Sequence, residues 1–317
     1  MDKAAATKKT IFKSVVYGVT IMADIVFSNL LVFVLDKSLA FVIPSDTMII
    51  IVTASVWGYI HYVFEVVNKM QVSFSGDVLE PGSAAVLVCN KQSLADYVVL
   101  QILATTYGMR GRVRFLCWRA VFARPSLAWL AASVWVRQDW TFDFEQLNDK
   151  LSKFFKPAYW LVMFPETVSY ETEIWQEQVR YCQSNGLPKL AHLLYPRFEA
   201  FFTSAFVPIM KYVKERSDIK FVYDVTIVYH RADEKNQSLG LWDLILMAGN
   251  MTEWEINVNV KRIPINEVGP NRRGMERWLE KTWVRKDKLL DGVARKGMAF
   301  KGLGYVYFPT DYTDMME

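Results

Sequence analysis

From residue 71 onward, short apolar runs of strand length alternate with segments of helical periodicity, and this alternation limits the possible folds more than any other feature. "AAVLVCN" (84–90), "RVRFLCW" (112–118), "WLAASVWVRQD" (129–139) and "AYWLVMFPE" (158–166) read as strands. Between and after them, "QSLADYVVLQILATTYG" (92–108), "DFEQLNDKLSKFFK" (143–156) and "EIWQEQVRYCQSNG" (173–186) read as helices, the first stopped by Gly108 and the last by Asn185-Gly186. "FFTSAFVPIM" (201–210) and "KFVYDVTIVYH" (220–230) are strand-like, "WEINVNVKRIPI" (254–265) is an alternating strand, and "RRGMERWLEKTWVRKDKLL" (272–290) is a basic amphipathic helix. This spacing predicts an α/β fold, a mostly parallel sheet flanked by helices. In such sheets chemistry gathers at the carboxyl ends of the strands, where residues 90–96 and 164–170 both fall, so the two are expected to face each other across one cleft.

The first 70 residues differ in kind. Lys3, Lys8, Lys9 and Lys13 precede "SVVYGVTIMADIVFSNLLVFVL" (14–35), and "TMIIIVTASVWGYIHYVFEVV" (47–67) follows and is closed by Lys69. Each run approaches or exceeds the roughly 20 residues that span a bilayer. They predict a membrane-embedded two-helix hairpin with both ends on the lysine-rich side. Asp24 and Glu65 interrupt the runs, which leaves two alternatives open: buried core helices, or a monotopic hairpin in one leaflet. No small-residue cleavage site follows the first run, so a removed signal peptide is not expected. The expected division is an anchor over 1–70, an α/β domain over 71–296 and an aromatic, then acidic, tail over 297–317.

Composition supports a lipid-facing protein. Of 317 residues 52% are apolar and 15% aromatic, and the formal charge is +4, with a mean hydropathy of +0.10. So mild a charge excludes a nucleic-acid binder and suits an anionic bilayer. Cys89, Cys117 and Cys182 have no CxxC spacing, so free buried thiols are expected, with neither a disulfide framework nor a metal site.

Five blocks carry a resemblance. "NKQSLAD" (90–96), "SVWVRQDWTFD" (133–143), "WLVMFPETVSYE" (160–171), "SNGLPKLAHLLYPRFEAF" (184–201), and "INVNVKRIPINEV" (256–268) with "WLEKTWVRKDKLL" (278–290) stand in the order found in the lysophosphatidic acid acyltransferase family of PlsC-type glycerolipid acyltransferases. The chain resembles most the branch that includes the lysocardiolipin and lysophosphatidylinositol acyltransferases. By that resemblance, Lys91 and Asp96 occupy the catalytic His-x4-Asp positions. Asn90, Gln92, Ser93, Arg137, Pro165, Glu166 and Arg197 occupy substrate-binding ones.

In that family the histidine takes a proton from the acceptor hydroxyl, which then attacks the acyl-CoA thioester, while the aspartate orients the imidazole. Here the base position holds a lysine. An unperturbed lysine, with pKa about 10.4, is neutral in roughly 1 molecule in 2,500 at pH 7. A Lys91–Asp96 ion pair is therefore expected, keeping the loop and losing the base. Loss of a general base typically costs about 100- to 10,000-fold in rate. The third block departs as well: Thr167, Val168 and Ser169 stand where the family has a glycine and then an arginine. The glycine permits a tight turn and the arginine binds the acceptor's phosphate.

The expectation is a membrane protein of acyltransferase descent that is catalytically inactive, retains a lipid- or acyl-CoA-shaped cleft, and serves a structural or regulatory role in a membrane assembly. The alternative is an active acyl-CoA:lysophospholipid O-acyltransferase, with Lys91 neutralised by burial or the proton taken by Glu166 or a water. No cofactor is expected; acyl-CoA enters as co-substrate in the active alternative alone. Expected partners are membrane lipids and other membrane protein subunits, in the endoplasmic reticulum or a mitochondrial membrane. Glu166 reads equally as a headgroup ligand or a structural partner. Arg110, Arg112, Arg114, Arg119 and Arg124 read as a phosphate-binding or a solvated face. His61, His192 and His230 read as structural, and Trp140, Trp254 and Trp283 as candidate interface residues. "SLGLWDLILMAG" (238–249) reads as a membrane-surface helix or one packed on the sheet.

Overall fold

The computed structural model describes residues 45–93, 95–118, 134–136, 151–152, 158–196, 198–216, 218–231 and 254–296, with short N-terminal helical pieces at 12, 15–21, 23–24 and 27. Among the described residues there are seven strands: β1 (Gln71–Gly76), β2 (Ala85–Cys89), β3 (Val113–Trp118), β4 (Val134–Val136), β5 (Trp160–Met163), β6 (Phe221–Arg231) and β7 (Trp254–Pro264). They form one sheet in the order β1-β7-β6-β2-β5-β3-β4. Every pairing among them is parallel except that of β6 with β7. The mostly parallel α/β fold read from the sequence is the observed one.

The strand sequences explain their places. β2 (AVLVC) and β5 (WLVM) are apolar at every position and buried throughout, as central strands covered on both faces must be. One face of the sheet packs against α1 (Ser45–Tyr62) and α2 (Ala95–Thr106) through Val56, Trp57, Ile60, Val99, Leu100 and Leu103. The other face packs against α3 (Thr172–Ser184), α4 (Val207–Lys214) and α5 (Arg272–Lys296) through Cys182, Ile209, Met210, Leu279 and Trp283. The alternation of Leu87 and Cys89 toward the first layer with Val86 and Val88 toward the second shows the period-two geometry of a strand directly.

Two expectations need comment. "FFTSAFVPIM" is not a strand but a π-helical segment (Phe198–Phe206) running into α4. Its buried residues Phe201, Phe202, Ala205, Phe206, Ile209, Met210 and Val213 recur every three to four positions, a helical stripe hidden within an almost uniformly apolar run. As for the membrane hairpin, most of its first run lies outside the described residues, and its second run is α1 followed by a π turn (Val63–Val67). Among the described residues no helix is long and apolar enough to cross a membrane. α1 buries one side in the core and turns Ile51 outward, 57% exposed. Tyr59 donates to Thr20 Oγ1 at 2.7 Å, joining the N-terminal helical residues to this layer.

α5 is pinned to the sheet by a buried ion pair. Lys286, 1% exposed, places Nζ 2.7 Å from Asp224 Oδ1 on β6 and donates to the carbonyls of Val88 at 3.2 Å and of Val225. Half-exposed Arg285 bonds the second Asp224 oxygen. Removing one partner of such a pair leaves a buried charge uncompensated. Lys286→Met is expected to cost about 3 kcal/mol in urea unfolding, and the double change Lys286→Met/Asp224→Leu to recover most of that loss. A double variant no better than the single one would disprove the pairing account.

Candidate functional site

The site begins where β2 ends. Asn90, fully buried, extends the sheet with its side chain: Nδ2 donates to the Ile227 carbonyl at 3.0 Å, and Oδ1 accepts the Ile227 N–H at 2.8 Å. It thus continues the β2–β6 pairing by one step, a structural use of the amide. The following residues form a capping box at the start of α2. Ser93 Oγ accepts the Ala95 N–H at 2.9 Å, and Asp96 Oδ2 reaches back to the N–H groups of Ser93 at 2.9 Å and Gln92 at 2.7 Å. Asp96 Oδ1 accepts the Tyr229 hydroxyl at 2.7 Å. Gln92 Nε2 reaches the His192 carbonyl at 3.3 Å.

Asp96's oxygens are engaged by the cap and by Tyr229. The Lys91 ammonium turns among aromatic rings: it donates to Tyr97 Oη at 3.2 Å and sits 4.3 Å and 4.5 Å from the ring centroids of Tyr97 and Phe164. Ring faces attract a cation, more so out of water. Lys91 is 3% exposed. Its charge acts on Asp96 at a distance, lowering the carboxyl, but burial is the larger effect and leaves that group at about 6.

The 164–170 loop meets this one directly. Phe164 accepts the Thr167 N–H at 2.9 Å, closing a turn with Pro165 in its second position, where a fixed φ is favoured. Glu166 is fully buried: Oε2 accepts the Lys91 N–H at 3.0 Å and Oε1 the Trp283 indole N–H at 2.9 Å. The Lys91 carbonyl accepts the Tyr170 N–H at 3.2 Å. Both backbone groups of Lys91 are therefore held by the second loop. Burial raises Glu166 to about 8, against these hydrogen bonds and the Lys286 charge, which lower it. Both of its oxygens are engaged. The cluster brings together the Lys91 cation, the buried Glu166 carboxyl and the capping Asp96 carboxyl.

Other sequence candidates fall elsewhere. Arg137 and Arg197 lie outside the described residues, as do Arg119, Arg124, Trp140, residues 238–249 and the tail from 297. Arg110 lies across Gly58 and bonds the Ala54 carbonyl at 3.0 Å; a Cβ on Gly58 would meet its Nη2 at 1.3 Å. Arg114 is buried over the Tyr159 ring and bonds the carbonyls of Gly111 and Val113. These two arginines hold the fold rather than a phosphate. His61 Nε2 lies 2.8 Å from Glu65, and His192 sits 3.4 Å from Asp291, both in structural settings. Trp254 and Trp283 are core residues, 4% and 0% exposed, and so not interface anchors. Cys89 and Cys182 are free and buried. Sequence reasoning missed Tyr97, Tyr229, Trp283 and Lys286; Tyr97 alone carried a local signal, lying one residue beyond Asp96 on the same helical turn.

Thr167 has φ +66°, a left-handed conformation that a β-branched residue resists, at the position where the resemblance places glycine. The turn has kept its shape and lost its suited residue. Thr167→Gly is expected to stabilise the fold by about 1 kcal/mol, and Thr167→Ala by less, in urea unfolding. The two raised carboxyls give a pH dependence. Each binds its proton more tightly folded than unfolded, so the stability they contribute is fully present below their ordinary values of 3.8 and 4.5 and is lost as pH rises through about 6 and about 8. Between pH 6 and 8 the urea midpoint should fall in the wild type and fall much less in Glu166→Gln, where Asp96 alone still titrates; parallel curves would contradict this assignment.

Comparison with known proteins places these features. The family model described as Acyltransferase C-terminus matches residues 246–315, which include β7 and α5. A probable 1-acyl-sn-glycerol-3-phosphate acyltransferase 5 of Arabidopsis thaliana is 27% identical over 258 residues, 80% of this chain and 62% of that protein. Lysocardiolipin acyltransferase 1 of Gallus gallus is 24% identical over 252 residues, 77% of this chain and 63% of that protein. Lysophosphatidylinositol acyltransferase 10 of Caenorhabditis elegans is 24% identical over 238 residues, 71% of this chain and 57% of that protein. The matched stretch thus spans less than two thirds of these relatives. The crystal structure of the acyltransferase PlsC from Thermotoga maritima aligns at a TM-score of 0.49 and 11% identity, over 90% of this chain and 98% of that one. The chain is thus similar in sequence to proteins named as 1-acyl-sn-glycerol-3-phosphate, lysocardiolipin and lysophosphatidylinositol acyltransferases.

Proposed function

We propose that this protein is a catalytically inactive acyltransferase homologue that acts as a structural or regulatory member of a membrane assembly. One observation carries the reading: the position of the family's general base holds Lys91, whose ammonium is enclosed by Tyr97 and Phe164 while its backbone is fixed by Glu166 and Tyr170. An ammonium donates hydrogen bonds and accepts none. Burial of Asn90, Lys91, Asp96 and Glu166 to 3% exposure or less supports the same reading, since an acceptor hydroxyl has no open approach to them. The division into an N-terminal anchor over 1–70, a domain over 71–296 and a tail belongs to this proposal. So does an organellar membrane location, which is supported by outward-facing Phe12, Val15, Val19, Phe27 and Ile51 in the N-terminal layer.

The names of the relatives favour a second reading, a working acyl-CoA:lysophospholipid acyltransferase. The two part in an assay of acyl transfer from labelled acyl-CoA to lysophosphatidic acid, lysocardiolipin and lysophosphatidylinositol by the purified full chain in detergent. The inactive reading expects no transfer above a protein-free control. It further expects transfer to appear in Lys91→His carrying glycine and arginine in the 167–169 turn. Turnover by the wild type that drops at least about 100-fold in Lys91→Met, with the fold intact by circular dichroism, would establish the enzyme.

A further inference from the structure

The charge of the chain is unevenly placed. α5 carries nine Lys/Arg against four Asp/Glu, a net +5, whereas the whole chain has 37 against 33, a net +4. The remainder therefore holds 28 basic and 29 acidic residues and is nearly neutral. Within α5 the two signs are largely segregated. Glu280 accepts the Tyr195 hydroxyl and Asp287 accepts the N–H groups of Ala191 and His192, while Asp291 stands beside the basic residues and pairs with Arg295 and His192. Arg273, Arg277, Lys281, Lys288 and Arg295 are all exposed. At about 100° per residue they fall within an arc of about 80°, opposite the buried Leu279, Trp283 and Lys286, and they extend over about 33 Å of helix.

The position of this stripe decides its partner. The outward apolar residues Ile51 and Phe27 belong to the N-terminal helices, which with α1 and α2 cover one face of the sheet, whereas α5 covers the other. A bilayer engaged by the apolar layer lies on the far side of the sheet from the stripe. We propose that the outer face of α5 is a docking surface for an acidic polypeptide segment of a partner subunit on the side of the domain away from the membrane. The inference rests on the membrane placement proposed above and names the kind of partner that the assembly would contain. About ten extended residues would follow the stripe. Complementary charge over that length steers and orients such a segment, and its contribution is screened by salt.

The test uses the purified full chain in detergent with a fluorescein-labelled poly-glutamate peptide of about twelve residues. Fluorescence anisotropy should show binding that weakens at least about tenfold in Arg273→Glu/Arg277→Glu/Lys281→Glu and on raising salt to about 1 M. Flotation with phosphatidylcholine and phosphatidylcholine/phosphatidylserine vesicles, measured separately, should be the same for wild type and variant. Absence of peptide binding, or equal binding by the variant, overturns the docking surface. Loss of vesicle binding in the variant assigns the stripe to the bilayer and also overturns it, as does tighter binding of a single-stranded RNA of similar charge. Failure of the wild type to float on either vesicle, with peptide binding intact, rejects the membrane placement and leaves the acidic partner standing.

Discussion

Glu166 is the point at which the second half of the chain grips the first. Its two oxygens accept one N–H from the loop after β2 and one from the indole of α5. The residue itself belongs to the turn after β5. Three elements distant in sequence meet on one side chain that has no access to water. An arrangement of this kind is costly when incomplete, because a buried acceptor without its donor loses the whole hydration it gave up. Asp96 does the same work nearer the surface of α2, and Asp224 with Lys286 does it at the opposite end of β6. The carboxyl ends of β2, β5 and β6 are thus joined by polar side chains as firmly as their middles are joined by apolar ones.

Under the inactive reading proposed above, this architecture accounts for a site that keeps its form without a histidine. The asparagine, serine and aspartate of the first block each have a backbone partner that needs them regardless of chemistry: a strand extension, a helix cap and the return bond of that cap. The proline and glutamate of the third block close a turn and fasten it. At the position that the resemblance gives to histidine the cation stands, held by Tyr97 and Phe164. Its long stem reaches past the capping carboxylate to rings that accept it. The glycine position differs again: the backbone still adopts the left-handed turn although threonine fits it poorly.

Much of this was legible in the sequence. The uniform apolar runs of β2 and β5 declared strands, and the periodic run from Gln92 to Gly108 declared a helix. The juxtaposition of the two loops followed from parallel topology alone. What was not legible depended on pairing across long separations. No local pattern tells that Trp283 on a basic helix points inward to Glu166, since a tryptophan on an amphipathic helix serves a core or an interface equally well. Adjacency in sequence likewise pairs Asp96 with Lys91 and gives no sign that Tyr229, 133 positions away, bonds the same carboxyl group. The helical nature of 201–210 was obscured because almost every residue there is apolar, so period two and period 3.6 fit alike.

The one reversed pairing in the sheet bears on how the chain reaches its native state. β1 is parallel to β7, which doubles back along β6, so the first strand of the domain finds its neighbour only when the last has formed; Ser73 bonds the Ile256 carbonyl across 183 positions. During synthesis β1 leaves the ribosome with an open edge and waits for almost the entire domain. Long-range closure of this type slows folding and exposes unpaired strand to aggregation meanwhile. Helices α1 and α2, local and early, can shelter that apolar face during the delay, whereas nascent chains cut short before Trp254 would carry a permanently unmatched edge and depend on chaperones or proteolysis.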